Sequence, residues 1–527
     1  MKPIKLFLAI LLPAILSFPS KGQTQAANPL VISIDAKDTQ QTIHNFGASG
    51  CWFSEGIGKY WPVAKREKMA ELLFSKEKAA DGSPKGIGLS AWRFNIGGGT
   101  AEQGDSSGIK DFRKRVESFL APDGTYNWNK QAGYQWFLRK AKDYGVENLI
   151  AFSNTPPVQF TQNGLGFKTV KDYKANLKPD KYNDYANFLT EVIKHFDKEG
   201  LHFNYISPVN EPQWDWSNKP GQASQEGSPW SNAEVYKVVA AVDASLENKK
   251  LNTKILTTEA GMLTYLYSGK TTASNQVQQF YTDTSQYSFN KLKHVPRLVA
   301  GHSYFSDLGD TNIVAIRKHV ADTARKYGVE YWESEYSMLG DGFREGFKGK
   351  RSQMDCALFL AKIINQDLTV GNAAAWQLWN AWEPGSAEFD TRYYLLALKP
   401  ANPEYTDGDF SITKNLWAMG NYSLFVRPGM KRLNTSRNDQ LKPVEVVQDV
   451  MVSAFTGGKD KLVMVVINYT DKARSISPEL KNFKSVKKYR TYTTTANVND
   501  NLKPSAEQKL HGAINLPPRS ITTIVFN

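Results

Sequence analysis

Between residues 45 and 382, eight short apolar runs each close in polar residues, with helical patterns between most of them. The runs end at Asn45-Phe46-Gly47-Ala48-Ser49, Trp92-Arg93-Phe94-Asn95, Leu149-Ile150-Ala151-Phe152-Ser153-Asn154 and Val209-Asn210-Glu211. Four more end at Ile255-Leu256-Thr257-Thr258-Glu259, Leu298-Val299-Ala300-Gly301-His302, Trp332-Glu333-Ser334-Glu335 and Ala373-Ala374-Ala375-Trp376. Tyr185 to Phe196 and Ala233 to Leu246 are among the helical stretches between them. Strands alternating with helices predict an α/β fold, a (β/α)8 TIM barrel with long loops. A doubly wound open sheet is the rival, and it leaves the reactive residues at nearly every strand end unexplained.

The pattern changes at about Val426. Val444 to Val452, Lys461 to Ile467 and Ile521 to Phe526 read as strands with turn residues between them, and long helical patterns stop. This predicts a C-terminal β-sandwich side domain over residues 426–527, with the barrel over 45–425. Leu30-Val31-Ile32-Ser33-Ile34 is also strand-like, so residues 24–44 are expected to join the sandwich. Residues 1–23 carry Lys2 and Lys5, then an apolar stretch from Leu6 to Phe18, then small and polar residues. That is the pattern of a signal peptide, and it predicts a secreted or periplasmic protein without a membrane span.

The formal charge is +13, and loss of Lys2, Lys5 and Lys21 leaves +10 (13 − 3). Basic charge invites a nucleic-acid partner, but no zinc-finger spacing, RNA-binding signature or long basic run accompanies it. No nucleic acid is expected, and the chain is expected to act as a monomer on a polysaccharide or oligosaccharide. Cys51 and Cys356 are the two cysteines. Export would permit a bridge; two separate buried thiols is the plainer expectation. The seven histidines do not cluster at ligand spacing, so no metal and no cofactor is expected.

Glu211 and Glu335 stand 124 positions apart (335 − 211), each at the polar end of an apolar run. Two carboxyls at the carboxyl ends of separate barrel strands suit retaining glycosidase chemistry, where one protonates the leaving oxygen and the other attacks the sugar. Glu333 and Glu335 have the same parity on a strand, so alternation does not separate them. Glu335 is preferred because it lies nearer the strand end; Glu333 is expected to pair with a basic residue. Asn210, beside Glu211, can bond a sugar hydroxyl.

These motifs together resemble glycoside hydrolase family 30 over nearly the whole chain after residue 23. Asn45-Phe46-Gly47-Ala48, Asn210-Glu211-Pro212, His302-Ser303-Tyr304, Ser334-Glu335-Tyr336 and Trp376-Gln377-Leu378-Trp379-Asn380 carry the likeness. So does Phe425-Val426-Arg427-Pro428-Gly429 at the link to the sandwich. The resemblance implies that Glu211 is the acid/base and Glu335 the nucleophile. It implies that Arg93 lies beneath the nucleophile, that Tyr304 reaches it by a hydrogen bond, and that Trp379 faces the sugar. Trp376 and Trp379, three apart on one strand, point opposite ways. His302 could be a sugar ligand or an internal hydrogen-bond partner. Asn154 stands where glucosylceramidase-like members carry a Trp, and Gly97-Gly98-Gly99 replaces the segment that closes their pocket. A low wall there, with Phe160-Thr161-Gln162-Asn163-Gly164, resembles the endo-β-1,6-galactanase branch. β-1,6-Glucanase, glucuronoxylanase, glucosylceramidase-like and non-catalytic carbohydrate-binding readings are the alternatives.

Overall fold

The computed structural model describes residues 29–527 apart from 459, 460 and 485. The leader expected over residues 1–23 lies outside them. The first strand, β1 (Leu30–Thr42), belongs to the C-terminal sheet. The next eight are β2 (Asn45–Ser49), β3 (Ala91–Asn95), β4 (Asn148–Phe152), β5 (Tyr205–Ser207), β6 (Lys254–Ile255), β7 (Leu298–His302), β8 (Glu330–Tyr336) and β9 (Ala373–Leu378). They pair in parallel in the order β6-β5-β4-β3-β2-β9-β8-β7. The ring closes between β6 and β7, where the Ala300 amide donates to the Thr257 carbonyl and the His302 amide to the Ala260 carbonyl at 2.8 Å. The fold is therefore a (β/α)8 barrel. Ala91, Ile150, Leu256, Leu298, Ala300 and Trp332 make a core cluster separate from the larger one that includes the helices.

Helices Tyr182–Lys198 and Asn232–Lys249 cover the two stretches read as helical, each running a few residues further. The second starts on a capping box: Ser231 Oγ accepts the Glu234 amide and Glu234 returns a bond to the Ser231 amide at 2.8 Å. Pro208 ends β5 because it has no N–H for the ladder. A small sheet of β10 (Trp382–Pro384), β11 (Leu396–Pro400) and β12 (Gly408–Ile412) follows the barrel.

The side domain comprises β13 (Lys431–Arg437), β14 (Val450–Thr456), β15 (Leu462–Asn468), β16 (Arg474–Lys481), β17 (Lys488–Thr494), β18 (Lys503–Pro504), β19 (Gln508–Lys509), β20 (Ile514–Leu516) and β21 (Ser520–Phe526). Strand β1 pairs antiparallel with β13 and parallel with β16. The reading of Val444 to Val452 as one strand fails at its start: Pro443–Val446 is a helical turn, set by proline in the first turn and by Glu445 accepting the Lys442 amide at 2.7 Å.

Strand β15 is buried along its whole length, and its two faces have different partners. Leu462, Met464 and Val466 join Ile32, Ile34 and Ile524 in the sandwich core. Val463, Val465 and Ile467 join the large core that includes the barrel helices. A strand covered on both faces loses the alternation of a half-exposed one and reads as a continuous apolar run. Helix Lys414–Ser423, every residue of which is buried, lies between barrel and sandwich: Asn421 accepts from Thr523 of β21 at 2.9 Å and donates to Thr494 of β17 at 3.1 Å. Cys51 and Cys356 are both buried free thiols. No helix among the described residues is long and apolar enough to cross a membrane.

Candidate active site

The barrel mouth opens into a cavity of about 530 Å³ lined by Asn210, Glu211, Tyr304, Glu335 and Trp379 among others. Glu211 follows the polar end of β5 and adopts φ +46°, a left-handed conformation that a β-carbon disfavours. Its amide donates to the Glu259 carbonyl at 2.8 Å, which fixes this turn against the end of the next strand.

Glu335 reaches the same cavity through a β-bulge. Gly301 and His302 of β7 are consecutive, yet they pair with Glu333 and Glu335 of β8. The extra residue re-aims the strand, as bulges beside functional sites do. Before the bulge, Trp332 points into the barrel and Tyr331 toward the helices. Glu333 therefore shares the helix side with Tyr331, while Glu335 faces the mouth. Parity failed to distinguish the two acids because it assumes an unbroken strand. Nor, among the described residues, does Glu333 form an ion pair with a basic residue. Its carboxyl accepts the backbone amides of Glu335 at 3.0 Å, Gln377 at 3.2 Å and Ser303 at 3.4 Å. Burial, with the Asp367 carboxylate beside it, pushes its pKa well above the usual carboxylate range.

Arg93, at the polar end of β3, donates to Glu335 Oε2 at 2.6 Å, and Tyr304 Oη donates to Glu335 Oε1 at 3.0 Å. Arg93 also lies 3.5 Å from Glu259 and stacks on the Phe152 ring at 4.2 Å. His302 has no exposed surface and does not line the cavity. Of the two roles open to it, the structure has the internal one: Nδ1 bonds Glu211 Oε1 at 3.0 Å and Nε2 bonds Glu259 Oε2 at 3.3 Å.

Glu259 was not among the nominated site residues, although it closes an apolar run as Glu211 does. Its carboxylate collects Arg93, His302, Ser334 and Ser207, the last at 2.6 Å. Burial works to raise its pKa, but Arg93 and His302 outweigh it and hold the group down to about 2. Burial opposes charge on His302 as well; the carboxylates of Glu335, Glu211 and Glu259 overcome it and lift its pKa to about 10. The centre therefore holds two cations, Arg93 and His302, against the carboxylates of Glu259 and Glu335. Burial pushes Glu211 up, Glu335 adds to the shift, and His302 opposes it.

One donor atom from each of Glu211, His302 and Glu335 lies within 4.8 Å of the others, close enough for a metal. Both ring nitrogens of His302 are already engaged by carboxylates, Nδ1 by Glu211 and Nε2 by Glu259, so neither is left to face a cation in the cavity. The donor set does not fit a metal.

Asn210 lines the cavity, its Oδ1 buried without a partner. Trp379 lines it too, edge-on to Trp52 at 5.1 Å, while Trp376 is fully buried and donates to Asp367 at 3.0 Å. Asn154 is 2% exposed and outside the cavity lining. The glycines after β3 do not lower the wall. A β-carbon on Gly97 would meet the Glu117 carbonyl at 2.4 Å, and one on Gly98 the Thr155 methyl at 2.5 Å. They are there for close backbone packing over the buried Glu226, which accepts the Gly98 amide at 3.2 Å and Thr100 Oγ1 at 2.6 Å. Trp52, Lys114, Trp214, Trp216, Phe305 and Glu383 also line the cavity. Glu383 lies on β10 and Lys114 in a short helical turn, and the others come from loops; in all of them residue type alone carried no signal.

A parallel eight-stranded barrel with two carboxyls this close at the carboxyl ends of its strands has the architecture of a barrel glycoside hydrolase. The chain belongs to O-glycosyl hydrolase family 30, whose model matches residues 29–389. It is 23% identical over 463 residues to an endo-β-1,6-galactanase of Hypocrea rufa, covering 83% of this chain and 81% of that protein. It is 21% identical over 460 residues to glucuronoxylanase XynC of Bacillus subtilis strain 168, covering 84% and 88%. Among solved structures, a conserved exported protein from Bacteroides fragilis superposes with a TM-score of 0.86 at 35% identity, covering 94% of this chain and all of that one.

Proposed function

We propose that this protein is an exported, retaining endo-β-1,6-galactanase acting on the side chains of arabinogalactan. The observation that carries the retaining chemistry is the proximity of one oxygen of Glu211 to one of Glu335, within 4.8 Å. Retaining glycosidases hold their carboxyls about 5 Å apart, whereas inverting ones leave room for water between them. Glu211 passes its proton to the glycosidic oxygen as Glu335 attacks the anomeric carbon and the C–O bond breaks. Arg93 and Tyr304 each hold one oxygen of Glu335 and so orient it. Once Glu335 is an ester its charge is gone, the pKa of Glu211 falls, and Glu211 takes a proton from the water that hydrolyses the intermediate.

The likeness to an endo-β-1,6-galactanase over 83% of this chain and 81% of that protein supports the substrate, and the export of the Bacteroides fragilis relative, with the apolar leader, supports the location. The test is a panel of β-1,6-galactan, β-1,6-glucan and glucuronoxylan with wild-type enzyme and Glu335→Gly plus azide. The expected result is a ladder of short galactan oligomers from wild type, and an inverted glycosyl azide from the variant. Release from glucan or xylan alone would overturn the galactan reading, and an azide product of retained configuration would overturn the role of Glu335.

A further inference from the structure

The cavity carries two opposite charges that the reaction above does not use. Lys114, in the segment after β3, and Glu383, on β10, both line it. Flanking Lys114, Arg113 pairs with Asp111 at 2.7 Å and Arg115 with Asp105 at 2.8 Å. Lys114 joins no ion pair among the described residues; its ammonium stands 4.5 Å over the Trp52 ring. Glu383 is anchored through one oxygen: Asn380 Nδ2 donates to Oε1 at 3.1 Å while also bonding the Cys51 carbonyl at 2.6 Å. Glu383 Oε2 has no hydrogen-bond partner among the described residues. Beside the two charges, Trp52 and Trp379 meet edge to face at 79°.

Aromatic faces cover the C–H surface of a sugar ring, a carboxylate oxygen accepts from a hydroxyl, and an ammonium donates to one. A preformed corner holding all three is a sugar-binding site. Its position follows from ring geometry. In the order β5-β4-β3-β2-β9, the strand that leads to Trp379 and Glu383 is four places from the one that leads to Glu211. In a ring of eight that is the opposite side. Glu211 donates toward the leaving group, so Trp214, Trp216 and Gln225, on its own loop, flank the aglycone.

We infer that Lys114 and Glu383 form a glycone-side subsite with Trp52 and Trp379, in which Glu383 Oε2 accepts one hydroxyl of a sugar and the Lys114 ammonium donates to a neighbouring one. The inference rests on the glycosidase reading above and adds two specificity-determining residues to it. The probe is 4-nitrophenyl β-1,6-galactobioside, whose only sugars lie on the glycone side. Wild type, Glu383→Gln, Lys114→Met and the double variant are compared by kcat/KM and by thermal midpoint. Each single variant should lose about tenfold or more in kcat/KM, as loss of a hydrogen bond to a charged group does. The double should lose less than the product of the two, because both hold the same ring. Midpoints should not fall in step with kcat/KM, since a glutamine at 383 can still accept from Asn380 and Lys114 forms no ion pair among the described residues. Singles within about twofold of wild type, strictly multiplicative losses, or a loss that tracks a fallen midpoint would each overturn it. If wild type leaves the bioside intact, the galactan reading fails. The subsite then stands or falls by the same criteria on the aryl bioside of the sugar the enzyme does release.

Discussion

Replacing Glu259 by glutamine removes one charge from a buried network in which Arg93 also holds Glu335 and His302 also holds Glu211. The loss can be sized in two ways. The pKa of Glu259 is held down to about 2 from an ordinary 4.5, a depression worth about 3 kcal/mol of folding free energy above pH 4.5. Independently, removing one partner of a buried ion pair costs about 3–5 kcal/mol, because the opposite charge stays buried without compensation. The two agree, so Glu259→Gln should lose about 3 kcal/mol at pH 7. A depressed carboxylate contributes its stability above its unfolded pKa and loses it as pH falls toward its folded one. At pH 3 about 2 kcal/mol of the contribution should already be gone, and variant and wild type should converge. The assay is urea unfolding of both proteins at pH 7 and pH 3, followed by tryptophan fluorescence. A deficit under about 1 kcal/mol at pH 7, or one that does not shrink at pH 3, would refute the ion network as the source of stability. Activity should fall as well, since Arg93 and His302 would each lose a carboxylate that fixes them.

Two further outcomes follow from the same physical terms. Glu211→Ala should lose about 10²- to 10⁴-fold on polysaccharide and far less in the burst on an aryl glycoside with an acidic phenol, where no proton is needed. In wild type, kcat/KM should fall as pH rises through the raised pKa of Glu211, and that limb should vanish on the aryl substrate in the variant. Burial lifts Glu226 to about 8, well above its unfolded 4.5, so its contribution is present below pH 4.5 and is lost as pH rises through 8. Glu226→Gln should therefore gain on wild type between pH 5 and pH 9 in thermal midpoint; parallel curves would contradict this.

The barrel was legible in the sequence because its signal is local. Each of the eight apolar runs needs burial on both faces, and each polar terminus reads off the chain without knowledge of its neighbours. The same locality brought Glu211 and Glu335 forward as strand-end residues, and β1 as a strand outside the barrel pattern; Tyr304 and Trp379 came forward through the family resemblance. Lys114 and Glu383 gave no such signal, since a charged residue outside the barrel strands looks the same whether it faces a cavity or solvent.

Three features were decided only by the tertiary structure. The bulge that turns Glu335 to the mouth and Glu333 to the helices depends on how β8 registers against β7, and no count along β8 alone contains that information. The glycines after β3 read as an open wall in one dimension, but in three they are the close packing of one loop on Val116, Glu117 and Thr155 above a buried carboxyl. The charge network behind Glu211 joins Arg93, Glu259 and His302, residues as much as 209 positions apart (302 − 93). The chain determines which groups can ionise; only the fold brings them within a few ångströms in a medium poor in water, where each one's charge fixes that of the next.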